Sequence, residues 1–219
     1  MVSRVIRKII SFIFPLTRKI KSDHNGYLEL TQINGKTVLN TANANYSYGS
    51  LQRVLKFSLS QVDLTKSKNI LLLGLGGGSV LKTLRDEFNF SGKITAVDID
   101  SVIIEIAEKE FGITSDDKTT IICADAFDYV INDNNKFNLI IIDLFIDNKI
   151  PDKFLLTEFW SEIIKKTTNE GCIIFNTLCI PITDIQEVEN ELKKNGFSCK
   201  IFRNVEKTNN VLIAQTKHL

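Results

Sequence analysis

Residues 69–80 read Asn69-Ile70-Leu71-Leu72-Leu73-Gly74-Leu75-Gly76-Gly77-Gly78-Ser79-Val80. The aliphatic run at 70–73 has no polar face to offer water, so it fits a strand covered on both sides, as in a parallel sheet. Glycines follow, which permit positive φ and let a ligand approach the backbone. A helical pattern then begins at Ser79, and the first N–H groups of a helix lack intrahelical partners. Strand, glycine turn and helix start together form a cradle for a nucleotide, with Gly74, Gly76, Gly77 and Gly78 as candidate cofactor-binding residues. The spacing Gly74-x-Gly76-x-x-Ser79 also approximates a dinucleotide fingerprint, and glycines can serve a tight turn alone, so the turn by itself leaves the ligand open.

Outward from this stretch, apolar runs alternate with helical ones, the pattern of βαβ units. Strands are expected at 70–73, 94–97, 120–123, 139–142 and 172–175, with helices at 79–88, 102–111, 126–131 and 154–166 between them. The fold class is therefore α/β, a doubly wound and mostly parallel sheet. A helix at 184–194 ends at Asn195-Gly196. Runs at 197–202 and 211–215, parted by Lys207-Thr208-Asn209-Asn210, are expected to pair antiparallel at the sheet edge. Upstream, Asn34-Gly35 between two extended runs within 26–40 signals a small β-hairpin, and a helix over 47–62 is expected from a serine cap. The chain divides into a basic segment at 1–21, a hairpin and linking helix at 22–62, and the nucleotide domain at 63–219.

Three acids stand at expected strand ends. Asp98 closes Ala96-Val97-Asp98-Ile99-Asp100, where a carboxylate can accept the ribose hydroxyls of NAD or of S-adenosylmethionine alike. Ile99 beside it is a further cofactor-binding candidate. Asp125, in Cys123-Ala124-Asp125-Ala126, can either accept a hydrogen bond from an adenine amino group, with Ala126 alongside, or cap the next helix. Asp143 follows the fourth strand. Ligands of such sheets bind outside the carboxyl ends of the strands, so these acids and the glycine turn mark one crevice.

Composition narrows the function. With 219 residues there is room for one α/β domain and a short appendage. Lys plus Arg number 27 against 26 Asp plus Glu, a formal charge of +1, which gives no field to gather nucleic acid. The four cysteines show no CxxC spacing and fit a reducing, cytoplasmic setting; the two histidines, His24 and His218, supply neither a triad nor a metal-ligand set. The first 21 residues contain Arg4, Arg7, Lys8, Arg18, Lys19 and Lys21 and no acid. Val2, Val5, Ile6, Ile9, Ile10 and Ile13 fall on one helical face, with Ser3, Arg4, Arg7, Lys8 and Ser11 opposite. This basic amphipathic helix is too short to span a bilayer and lacks a signal-peptide pattern. It can anchor peripherally to a membrane surface, or lay its apolar face on its own domain or on a partner subunit.

The sequence resembles the spermidine synthase group of the class I methyltransferase-like fold. The resemblance rests on the hairpin, Leu73-Gly74-Leu75-Gly76-Gly77-Gly78, Val97-Asp98-Ile99-Asp100, Ala124-Asp125-Ala126, Phe137-Asn138-Leu139-Ile140-Ile141-Ile142-Asp143 and Leu156-Thr157-Glu158-Phe159. It implies that 63–219 is an S-adenosylmethionine-binding domain with a seven-stranded sheet, that Gly74, Gly76 and Asp98 hold the nucleoside, that Asp125 lies near adenine, and that Asp143 meets a nucleophilic amine. A homodimer is also implied. Departures fall on the amine contacts. Ser79 stands where the aminopropyltransferases carry Asp; Asp143-Leu144-Phe145-Ile146-Asp147 places its second acid one position late; and Tyr48-Gly49-Ser50 replaces Tyr-His-Glu.

The expected cofactor is S-adenosylmethionine or its decarboxylated form, with a small-molecule amine as acceptor and no nucleic acid as partner. An in-line attack on a carbon bound to a sulfonium needs positioning and removal of a proton. Asp143 is the first catalytic candidate and Asp147 the second, with Tyr48 and Ser79 expected to line the substrate side. The alternatives are an NAD-binding oxidoreductase domain, which lacks residues for a substrate domain, and a non-catalytic nucleotide-binding module.

Overall fold

In the computed structural model, which describes residues 4–41, 49–147, 149–178, 181–207 and 209–217, the chain opens with a short helix, α1 (Arg4–Ile10). Three antiparallel strands follow: β1 (Leu16–Ser22), β2 (Gly26–Ile33) and β3 (Lys36–Asn40). The helix expected over 1–21 is thus confined to its first part, and the expected hairpin is two strands of a three-stranded sheet. Pro15 cannot continue a helix. Beyond it the basic residues find partners that a helix would deny them: Lys19 lies directly opposite Glu29 in the β1–β2 register, with 3.1 Å between their charges, and Arg18 pairs with Glu110. The β2–β3 connection is the two-residue turn Asn34-Gly35, both at positive φ (50° and 73°), as a type I′ hairpin requires.

Helix α2 (Ser50–Ser60) leads into the main layer: β4 (Asn69–Leu73), α3 (Ser79–Lys82), β5 (Lys93–Asp98), α4 (Ser101–Phe111), β6 (Thr119–Cys123), α5 (Ala126–Asn132) and β7 (Phe137–Ile142). Then come α6 (Thr157–Lys166), β8 (Thr167–Leu178), α7 (Ile182–Lys194), β9 (Phe197–Val205) and β10 (Asn209–Thr216). The N-cap of α2 is Gly49, at φ 85°, and not a serine side chain; Ser47 lies outside the described residues. The helix expected over 79–88 changes to a π-helical turn at Thr83–Glu87. The one expected over 154–166 is split at Leu156, so that a 3₁₀ turn, Asp152–Leu155, precedes α6.

The seven strands run in the order β6-β5-β4-β7-β8-β10-β9. Neighbours from β6 to β8 are parallel, and β10 is antiparallel to both β8 and β9. Alternation along each strand sends side chains to opposite faces. Ile70, Leu72, Leu139 and Ile141 join one core with Leu28, Leu30 and Leu39 of the small sheet and with α2 and α4. Leu71, Leu73, Ile140 and Ile142 join the other, with Trp160 and Phe159 of α6. All eight strand residues are at most 1% exposed. Both faces are covered, and for that reason no polar residue interrupts 70–73. The chain leaves β4 toward β5 on one side and returns to β7 on the other, so the sheet's switch point lies at the carboxyl ends of β4 and β7.

That switch point is held by backbone contacts. Gly74 N–H donates to the Val97 carbonyl at 2.8 Å and Asp143 N–H to the Leu73 carbonyl at 2.9 Å. Gly74 has φ +95°, and a Cβ there would sit 2.1 Å from the Asp143 carbonyl oxygen. Gly112, the αL cap of α4 at φ +69°, has nothing within 4 Å of such a Cβ. We therefore expect Gly74→Ala to destabilise the fold by about 2–4 kcal/mol and Gly112→Ala by only ~1 kcal/mol in urea unfolding; equal costs would contradict the close packing at the switch point.

Candidate active site

A crevice of about 290 Å³ opens at the carboxyl ends of β4, β5 and β7. Its wall brings together Gly74, Gly76, Ser79, Asp98, Ile99, Asp125, Ala126, Asp143 and Asp147 from the residues singled out in the sequence. Gly77 and Gly78 are not on it. Gly78 is the αL residue that starts α3 (φ 74°), and a Cβ on it would lie 2.4 Å from the Ile113 side chain, so it serves backbone conformation and packing. Tyr48 lies outside the described residues.

Asp98 ends β5 and reaches back to the glycine turn. Its Oδ2 accepts from the amides of Leu75 (2.9 Å) and Gly76 (3.3 Å), and its Oδ1 from Asp100 N–H (3.0 Å). Burial pushes its carboxyl above the usual carboxylate range, these three amides draw it back, and Asp100 adds charge repulsion. Carboxylate oxygens carry lone pairs beyond those used here, so Asp98 can still accept ribose hydroxyls from the crevice side.

Asp100 ties the small sheet to this site. Its Oδ1 caps α4 through Val102 N–H (3.0 Å) and Ile103 N–H (3.4 Å), while its Oδ2 accepts from Ser22 Oγ and from Asn25 Nδ2 (2.7 Å). Asn25 thereby joins the crevice wall. A second tie lies at the opposite end: Thr41 Oγ1 donates to Asp147 Oδ1 at 2.6 Å, and Asp147 has φ 56°, a left-handed conformation a non-glycine residue adopts at a cost.

Asp125 performs the capping role that the sequence left open beside the adenine role. Its Oδ1 accepts from Phe127 N–H (2.8 Å) and Asp128 N–H (3.4 Å), and its Oδ2 pairs with Lys153. Burial opposes its charge, but Lys153 and the two amides outweigh it and hold the carboxyl below its ordinary value. Lys153 and Phe154, in the turn before α6, complete the wall on that side.

Asp143 meets the crevice on one side and protein on the others. This surround pushes its carboxyl up to about 6; Asn176 lowers it and the nearby charge of Asp98 raises it. Asn176 Nδ2 donates to Asp143 Oδ1 at 2.8 Å, and Asn209 Nδ2 donates to Asn176 Oδ1 at 2.8 Å. Both asparagines are nearly inaccessible to solvent. Asn176 went unnoticed in the sequence, although a signal exists. It follows Cys172-Ile173-Ile174-Phe175, and Ile142 pairs with Phe175, so one step further puts Asp143 beside Asn176. Lys153, Asn25 and Asn209 carry no comparable signal, because Lys153 and Asn25 reach the crevice from turns and Asn209 from the start of β10, beyond β8.

Residues 55–208 match the family model described as the spermine/spermidine synthase domain. The polyamine aminopropyltransferase of Sulfolobus acidocaldarius is 33% identical over 52% of this chain and 39% of its own length. The eEF1A lysine and N-terminal methyltransferase homolog of Drosophila melanogaster is 28% identical over 58% of this chain and 20% of its own. The chain thus spans two fifths or less of these relatives. Among solved structures, a spermidine synthase in complex with the transition-state analogue AdoDATO superposes with a TM-score of 0.68 at 18% identity, covering 91% of this chain and 73% of that one.

The raised carboxyl of Asp143 has a consequence for stability. A group whose pKa is higher folded than unfolded favours the fold while protonated, and that contribution is lost as pH rises from about 4 through about 6. Asp143→Asn should therefore match the wild type near pH 4 and exceed it at pH 8 by about 1–3 kcal/mol in urea unfolding. Asn176→Leu, which removes the donor, should move the wild-type transition to higher pH. Equal pH dependence of wild type and Asp143→Asn would contradict the assignment.

Proposed function

Because the chain belongs to the spermine/spermidine synthase domain family, we propose that it binds S-adenosylmethionine or decarboxylated S-adenosylmethionine and transfers a methyl or aminopropyl group to an amine. The observation that carries this reading is Asp143: a carboxyl raised to about 6, fixed by Asn176, on the crevice wall beside the glycine turn. The family match and the structural likeness lend the NAD reading no support.

In the proposed reaction the nucleoside lies along Gly74 to Gly76 with its ribose at Asp98. Adenine lies toward Ile99, Ala126 and Asp125, on the side closed by the Lys153 ion pair. The acceptor enters beside Asp143 and Asp147. Its amine lone pair forms the new nitrogen–carbon bond while the carbon–sulfur bond breaks, and that electron pair returns to sulfur, leaving a neutral thioether. The proton of the amine passes to Asp143, whose pKa near the working pH suits both taking it and releasing it to water. The sulfonium is already activated, so the protein's part is to orient, to exclude water and to hold that proton.

Residue 79 sets this crevice apart from that of the aminopropyltransferases. Both donors carry an ammonium, S-adenosylmethionine with a carboxylate beside it, and the position after the glycines, where the aminopropyltransferases have Asp, is here Ser79, neutral and buried. Among the described residues the acids on the wall are Asp98, Asp125, Asp143 and Asp147. Asp98 holds the glycine turn, Asp125 pairs with Lys153, and Asp147 accepts from Thr41. The cytoplasmic setting and the homodimer implied by the resemblance belong to the same proposal.

Offered either cofactor with polyamines, diamines and lysine-containing peptides, the protein should release S-adenosylhomocysteine from S-adenosylmethionine or methylthioadenosine from the decarboxylated form. Asp143→Asn should lower kcat by roughly 10²–10⁴-fold with little change in the cofactor KM. Release of neither nucleoside with any amine would overturn the reading.

A further inference from the structure

Helix α1 sits the opposite way round from an amphipathic helix that covers a core. Its inward contact is polar: Ser11 is 1% exposed, Asn34 N–H donates to the Ser11 carbonyl at 2.8 Å, and Gly35 N–H donates to Ser11 Oγ at 3.0 Å. Ser11 belongs to the face that helical spacing groups with Arg7 and Lys8, so the hairpin turn grips the polar side. Most of the apolar side points away, while the Phe12 ring reaches over Gly35 of the turn. Val5, Ile9, Phe12, Ile13 and Phe14 are each more than 60% exposed, within ten consecutive residues. Arg7 and Lys8 are exposed between this apolar surface and the body of the protein, and Lys21 is exposed on the adjoining strand. Arg18 and Lys19 are taken up by Glu110 and Glu29.

We propose that this face docks on an anionic lipid bilayer, with Val5, Ile9, Ile13 and Phe14 in the acyl boundary and Arg7 and Lys8 at the level of the headgroups. Two features favour lipid over a second copy of the chain. Residues 1–22 contain no acid, so the surface offers cations to a partner and no counter-charge. A two-fold pairing through the same patch would bring Arg7 and Lys8 against their own equivalents. Among the described residues no helix is long and apolar enough to cross a membrane, so the contact is peripheral. The inference stands apart from the transferase reading, because it uses no residue of the crevice.

The test is co-sedimentation of the full chain with vesicles of phosphatidylcholine alone and of phosphatidylcholine mixed with phosphatidylserine, at low and high salt. Binding to the mixed vesicles should exceed binding to the neutral ones by on the order of tenfold and fall with salt. Ile9→Asp with Ile13→Asp should abolish it while leaving the thermal unfolding midpoint unchanged, since both positions are exposed. Arg7→Glu with Lys8→Glu should remove the preference for anionic lipid. No binding, equal binding to neutral vesicles, or unaltered binding of the Ile9→Asp, Ile13→Asp variant would each overturn the proposal. So would a vesicle-independent dimer that the same variant disperses, which would assign the face to a second copy.

Discussion

The carboxylate of Asp98 accepts amide hydrogen bonds from Leu75, Gly76 and Asp100, and the shape of the crevice depends on this one group. A glycine-rich turn has many accessible conformations, and ordering it costs entropy that its own side chains cannot recover. A buried carboxylate offers strong, charge-assisted acceptors that fix the turn from the neighbouring strand. The same constraint fixes the helix that follows, because Asp100, two residues on, caps α4 and accepts from Ser22 and Asn25 of the small sheet. Glycine turn, crossover helix and N-terminal sheet are thus joined through a single strand end.

Burial raises the carboxyl of Asp143 as it raises that of Asp98, but the two are held differently. Where Asp98 is satisfied by backbone amides, Asp143 has an asparagine donor and a crevice, and its carboxyl is pushed up to about 6. Two acids at the ends of β5 and β7, on either side of β4, therefore differ in role because their surroundings differ. One is a fixed acceptor, and the other is a group whose proton can come and go. The Asn209–Asn176–Asp143 chain keeps the second aimed without cancelling its basicity. Holding an ionised carboxyl there opposes folding at neutral pH, a strain that functional sites commonly carry.

The parallel sheet was legible because burial on both faces leaves nothing but aliphatic residues at 70–73 and 139–142, and the strand ends were legible because acids follow such runs abruptly. Four parts were not. The basic residues of 16–22 resemble a helix tail until Glu29 and Glu110 are known to face them. Helical periodicity gives the two faces of α1 but not which one is gripped, and Ser11 reverses the usual choice. Asp125 could be foreseen as a cap, but Lys153, which pairs with it from 28 residues away, could not. Gly77 and Gly78 look like cofactor contacts by motif, yet Gly78 is required by its αL backbone and the nearness of Ile113.

The account stands or falls on where a nucleoside thioether binds. A crystal structure of the chain with S-adenosylhomocysteine is the most direct measurement. Ribose hydroxyls should lie on Asp98 and the thioether along Gly74 to Gly76, with its sulfur turned toward Asp143. A nucleoside bound elsewhere, or one lying in the crevice with its sulfur turned away from Asp143, would contradict it.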